Sequence, residues 1–507
     1  MADVAGEHRT QGLRRGVVGF NGVLFQSITF MAPAIATAFS IPAGIAFSGG
    51  GAPLSVIFAL VASMLAAVSI GQLSKHMPTA GSFYTYVSNG LHPAVGFLVG
   101  WGFLLGILVG GPFLALQMGF IVAGTTNAEW GWSPDLWWVW TVLVCLFVSW
   151  LGYRGIKAST ETGILLGAFE MLVFVALALT LIVQAGSDNT LEVFGTHYAN
   201  NPDYSGFSGV IVGSIYTILA FIGFEEAAPI AEEAHEPHRT VNLAIIFSCL
   251  GIGLFYILNT YASTITFGPE QMTGFVGAGD GNPWQNLLAR DAWGTVGFVL
   301  VFIALINSVI ANQNAANNSS TRTMFSMGRI RLLPTQYGSL TRGSPMLALI
   351  TQLVVSIGVA LWLGNQYDPY TGFVILATIL VDIFAPMYIL LNIACITYFW
   401  RYRRAEFNWW LHGLIPVLGA LAFIPAFCAG AGIPVFSFIT ALPKPLSYAG
   451  PAAAIWMAIG VVYLVVLMLT RPGRITESKR VFRRGVRGWT SSTTGLNPTS
   501  SPGPSAV

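Results

Sequence analysis

Apolar runs of about 20 residues, the length of a helix crossing a bilayer core, recur roughly every 40 residues along this chain with short polar gaps between them. That rhythm restricts the fold to a helical membrane bundle, because hydrocarbon offers backbone groups no partners and helices satisfy theirs internally. Of the 507 residues, 54% are hydrophobic and only 9% are charged, against about a quarter charged in a soluble domain. The runs give twelve candidate spans at 17–47, 52–73, 95–124, 136–152, 163–184, 209–232, 241–266, 294–317, 346–363, 372–398, 411–431 and 451–470. An all-α polytopic domain over 17–470 is expected between a tail at 1–16 and a basic, then disordered, tail at 471–507. Arg14 and Arg15 precede an apolar run too long for the core of a cleaved signal, so the first span is expected to stay attached. Cys145, Cys249, Cys395 and Cys428 all fall inside apolar runs and read as small hydrophobes.

Orientation follows from lysine and arginine. With twelve spans and a cytoplasmic amino terminus, 21 of the 23 basic residues fall in inner segments, and only Arg290 and Lys444 lie outside. A wrong span count would scramble that alternation. A multi-pass protein of the inner (cytoplasmic) membrane with both termini cytoplasmic is therefore expected, with lipid as its surroundings.

The sixth run is both hydrophobic and interrupted. Apolar residues extend from Val210 to Phe224, but Gly223, the adjacent Glu225 and Glu226, and Pro229 are residues that a continuous membrane helix avoids. The first run carries a matching interruption at Met31, Ala32 and Pro33, where proline removes a backbone donor. Five spans separate the two breaks, so the broken helices run in opposite directions. Inverted five-helix repeats over about 17–184 and 209–398, with spans 11 and 12 (411–470) outside them, account for this.

Three blocks resemble a known family: Leu73 to Val87 with Gly96 to Trp101; Phe221 to Glu225 through Glu233, Pro237 and Arg239; and Asn314 to Pro334 with Arg322 and Arg329. Over about Gly16 to Thr470 the chain resembles an amino acid permease of the amino acid-polyamine-organocation superfamily. The resemblance implies the leucine-transporter type of inverted repeat, with substrate held between unwound helices 1 and 6. Where helix 1 restarts, free N–H groups suit a substrate carboxylate, and Ala34 and Ile35 are the candidate donors beside Met31 and Ala32. Unwound carbonyls at Phe221, Ile222 and Phe224 can accept from an ammonium. The rings of Phe221 and Phe224 are expected to wall the side-chain pocket.

Four acids lie within spans and are candidates for proton coupling or gating: Glu170, Glu225, Glu226 and Asp382. Glu170 stands where proton-coupled relatives often carry a lysine. It can alternate between protonated and ionised forms, or be a neutral structural glutamate. Glu226 can also cap or pair locally, and Asp382 either pairs with helix 1 or 6 or satisfies backbone freed by Pro386. Asn307 and Ser308 are a possible ion or polar site on span 8, whose asparagines share one face. No carboxylate cage is visible, so protons are favoured over sodium as the coupling ion, and neither a cofactor nor a resident metal is expected. The acids Glu232 and Glu233 read as interfacial, with Arg239 either in a cytoplasmic gate network or simply solvated.

No Gly-Lys-Ser/Thr loop, His-Glu-x-x-His or Cys-x-x-Cys is present, so an enzyme or nucleotide-driven pump is not expected, nor is a nucleic-acid partner. The expected function is a secondary carrier of amino acids working by alternating access, with proton-coupled uptake. A polyamine or organic-cation carrier, an exchanger, and a channel or sensor stay open beside it.

Overall fold

The computed structural model describes residues 13, 15–341, 343–436, 442–471 and 473. Nearly all of the tail at 1–16 and of the tail at 471–507 therefore lies outside the described residues. Fifteen α-helices follow in chain order among those residues: α1 (Phe20–Phe30), α2 (Pro33–Ile35), α3 (Ile41–Ser48), α4 (Ala52–His76), α5 (Ser82–Gly90), α6 (Pro93–Trp130), α7 (Trp137–Arg154), α8 (Ile156–Ala185), α9 (Phe207–Thr217), α10 (Pro237–Phe267), α11 (Arg290–Arg329), α12 (Met346–Gln366), α13 (Pro369–Tyr402), α14 (Ile415–Gly430) and α15 (Ala449–Thr470). Only isolated β-bridges occur among the described residues. Ten helical stretches there are long and apolar enough to cross a membrane. One of them, Phe20–His76, spans 57 residues and holds both the first interruption and the Gly49–Gly51 turn. Phe207–Phe221 is a shorter apolar helix.

The bundle is assembled from long pairwise contacts: α4 along α10, α6 along α13, and α8 along α11. Its organising element is α11. From Ala311 to Gly328 every residue of this helix is buried, although the stretch is rich in asparagine, serine and threonine. Buried polar groups usually need hydrogen-bond partners, and neighbouring helices supply them for Asn314 and Asn318, while both side-chain atoms of Asn317 have no hydrogen-bond partner among the described residues. The Ser159 hydroxyl of α8 donates to Asn314 Oδ1 at 2.6 Å, Asn318 Nδ2 donates to Gln26 Oε1 of α1 at 3.2 Å, and Gln26 Nε2 donates to the Ala315 carbonyl at 2.9 Å. This polar seam fixes α1 and α8 against α11, and so sets where the interruption after α1 falls.

Candidate transport site

The chain leaves helical geometry at both predicted interruptions. After Phe30, Ala32 adopts φ 48°, ψ 70°, a left-handed conformation that costs a non-glycine residue about 1–3 kcal/mol. Pro33 then restarts the helix, which widens into a π-helical stretch at Ala36–Ser40 before α3. At the other break α9 passes through a 3-10 turn, Ile218–Phe221, and Ile222 becomes extended. Gly223 follows at φ 120°, where a Cβ would lie 2.4 Å from Phe30 Cδ1. Only glycine meets both demands. The chain runs on as turns to Ala231–Glu233 before α10.

The two breaks face each other. The hydroxyl of Tyr256 on α10 lies 2.7 Å from the Met31 carbonyl and 3.0 Å from the Ala220 carbonyl, and donates its single proton between them. Ala227 N donates to Ser27 Oγ at 2.9 Å. A cavity of about 50 Å³ lies between the breaks, with Phe30, Ala32, Ile35, Phe113, Ile222 and Asn312 in its wall. Met31 also lines it.

Several expected contacts are arranged differently. Phe221 and Phe224 are not in the cavity wall: the first packs edge-on against Tyr256 at 5.3 Å, and the second stacks on Tyr388 at 5.4 Å. Once Ile222 leaves the helix, helical phase no longer predicts which way the rings point. The expected donors are taken within the protein, Ala34 N by Glu170 Oε2 at 3.2 Å and Ile35 N by Ser308 Oγ at 3.3 Å. Asn307 Nδ2 donates to the Leu166 carbonyl at 2.6 Å, tying α11 to α8, while Ser308 turns to the helix-1 restart.

The acids divide by partner. Glu225 Oε1 accepts from the Tyr388 hydroxyl at 2.7 Å and its Oε2 from Gly223 N at 3.2 Å, so it holds the second break to α13. Glu226 accepts from the Ser319 hydroxyl of α11 and does not cap locally. Asp382 meets neither expectation: it is buried, neither carboxylate oxygen has a hydrogen-bond partner among the described residues, and a Cβ at Gly430 of α14 would lie 2.5 Å from Oδ1.

Glu232 and Glu233, expected at an interface, form a latch of two ion pairs, one part-exposed and the other fully buried. Arg322 Nε pairs with Glu233 Oε2 at 3.0 Å, with side chains only 3% and 2% exposed. Arg329 makes a two-pronged contact with Glu232, at 2.9 and 2.6 Å, and Glu232 also accepts from Ala80 N. The amino-terminal segment joins in, since Val17 N and Val18 N donate to the Glu233 carbonyl. The spacing of Arg322 and Arg329, seven residues or two turns apart on one helix face, is the signal that could have paired them with Glu232 and Glu233. Tyr256 had no such signal, being one of two tyrosines in an apolar span.

Paired interrupted helices inside an all-helical, multi-pass bundle define a membrane protein of the transporter type rather than an enzyme. A profile of the amino acid permease family matches residues 22–471, and the chain belongs to that family. Among curated relatives, the low-affinity putrescine importer PlaP of Escherichia coli (strain K12) is 25% identical over 450 residues, covering 87% of this chain and 91% of that protein. The amino-acid permease GAP5 of Candida albicans is 25% identical over 387 residues, covering 73% and 60% respectively. The histidine permease HisP of Lactococcus lactis subsp. cremoris is 24% identical over 316 residues, covering 60% and 64%.

Proposed function

We propose that this protein is a secondary active carrier that takes up amino acids by alternating access, coupled to protons, in the inner (cytoplasmic) membrane with both termini cytoplasmic. The observation that carries this reading is the pair of facing breaks tied through Tyr256 around a shared cavity. In the same reading Phe20–His76 supplies two spans, and α9 with the turns after it supplies another, which makes twelve with the other nine candidate stretches. Inverted repeats of five helices relate the two breaks, and α14 and α15 stand outside them.

Substrate would bind between the breaks, against backbone at Met31, Ala32, Phe221, Ile222 and Phe224, with Ala34 and Ile35 released to it when their present partners move. Glu170 is the proposed proton site. It bonds directly to the helix-1 restart, so a change in its protonation acts on the break itself. Glu225, bridging Gly223 and Tyr388, is the proposed gate, with Glu226 and Asp382 secondary to it. Asn307 and Ser308 keep a structural role here, and sodium is set aside.

A second reading, an amine carrier, is favoured by one observation. With Ala34 N and Ile35 N already engaged, a substrate without a carboxylate would need no rearrangement there, and the relative PlaP is named a putrescine importer. Against it, no carboxylate lines the cavity between the breaks. Proteoliposome uptake of radiolabelled amino acids and of putrescine, with and without an imposed pH gradient, tests both. Gradient-driven accumulation of amino acids is expected, and equilibration without accumulation would sink the carrier reading. Glu170→Gln is expected to keep exchange and lose gradient-driven accumulation.

A further inference from the structure

A second cavity among the described residues is larger than the one between the breaks. This chamber of about 460 Å³ lies beyond the smaller one, within the roughly 300–1,000 Å³ range of small-molecule sites. It is walled by the π-helical stretch Ala36–Ser40 and the start of α3, the end of α6, the 279–283 loop and the starts of α11 and α13. An aromatic cluster separates the two cavities. Phe120 meets Phe39 edge-on at 5.8 Å and Phe373 at 5.5 Å, while Phe113, two turns along α6, already belongs to the inner wall.

Among the described side chains, the outer wall carries the acid Glu129 and the base Arg290, held together. Arg290 Nη2 pairs with Glu129 Oε1 at 2.7 Å, and the guanidinium lies over the Phe298 ring at 4.2 Å. Both side chains stay accessible, at 43% and 34% exposure. In the proposed orientation Arg290 is one of only two basic residues on the outer side, so it is not one charge of a general basic surface. An exposed pair of this kind adds little to stability. Its guanidinium has donors beyond the one spent on Glu129, in a fork that matches a carboxylate.

We infer that this outer chamber is a capture site for zwitterions, in which the substrate carboxylate pairs with Arg290 and its ammonium with Glu129 before the substrate passes the Phe39 and Phe120 rings. The inference rests on the amino acid reading above and adds to it a site for selection by charge at both ends of the solute. A diamine would find one partner and one repulsion there.

The test uses the full-length protein in proteoliposomes, a radiolabelled mixture of the common L-amino acids as substrate, and unlabelled butylamine as competitor. Arg290→Gln should raise the half-saturation concentration about tenfold, as loss of a charge-assisted contact does, and make butylamine a stronger competitor. Glu129→Gln should raise the half-saturation concentration and leave butylamine weaker. Arg290→Lys, which keeps the charge, should fall between Arg290→Gln and wild type. Unchanged half-saturation and competition in both neutral variants would overturn the capture site. So would a lower maximal rate at unchanged half-saturation, which is the mark of a mere tether between α6 and α11. Absence of amino acid uptake by the wild type would instead refute the substrate reading, and the inference with it.

Discussion

Arg290 with Glu129, and Arg322 with Glu233, are the same ion-pair chemistry in opposite surroundings. The first pair stands on the wall of a 460 Å³ chamber with both side chains more than a third exposed, and the second is sealed among helix ends and loops with almost no exposure. In water an ion pair forms and breaks at little expense, whereas taking two charges out of water is affordable only when each has its partner in place. One face of the molecule is therefore held open by groups that can let go, and the other is closed by groups that cannot separate without rehydration. In the proposed alternating-access cycle and orientation, that asymmetry corresponds to an outward-facing state.

The largest expected effect lies on the sealed face. Arg322→Ala leaves Glu233 buried without a partner and should destabilise the protein by about 3–5 kcal/mol, read as thermal unfolding in detergent. Replacing both, Arg322→Met with Glu233→Leu, should recover most of that loss while weakening the closed state. A double variant as unstable as the single one would show that the burial, not the broken pair, was at fault. Between the two faces, Tyr256→Phe removes the hydroxyl shared by Met31 and Ala220 and should cost about 1–2 kcal/mol, with slower uptake because the breaks are no longer held in register. Unaltered stability and rate would mean that the tie is incidental. On the open face, Glu129→Gln should change stability by less than about 1 kcal/mol. A loss as large as that of Arg322→Ala would erase the contrast.

The breaks between the two faces could be anticipated from the residues, whereas neither ion pair was, and the difference has a physical reason. The interruptions at Pro33 and Gly223 were legible because proline and glycine act on their own backbone, whatever packs around them. The intramembrane acids were legible because a buried charge always needs a reason. Their partners were not. Glu226 reaches Ser319 and Glu233 reaches Arg322 across 93 and 89 residues of sequence, and only the folded bundle brings those stretches together. The directions of Phe221 and Phe224 were misread for a different reason, since helical periodicity ends at Ile222 and the pocket wall passes to Ile222 and Phe30. Glu170 stands out as an intramembrane acid where relatives often carry a lysine, on a helix that the resemblance places beside helix 1, but its bond to Ala34 N, which makes it part of the break, could not be read from spacing.

The most direct test of the central claim, that the two faces open in turn, is thiol labelling of single cysteines placed in a background lacking the four native ones. Ala38→Cys reports on the outer chamber, and Ala80→Cys on the latch, where Ala80 N meets Glu232. Adding substrate under a pH gradient should lower labelling at Ala38→Cys and raise it at Ala80→Cys in the same preparation. Labelling that rises or falls at both positions together would describe a channel or a rigid receptor and contradict the account.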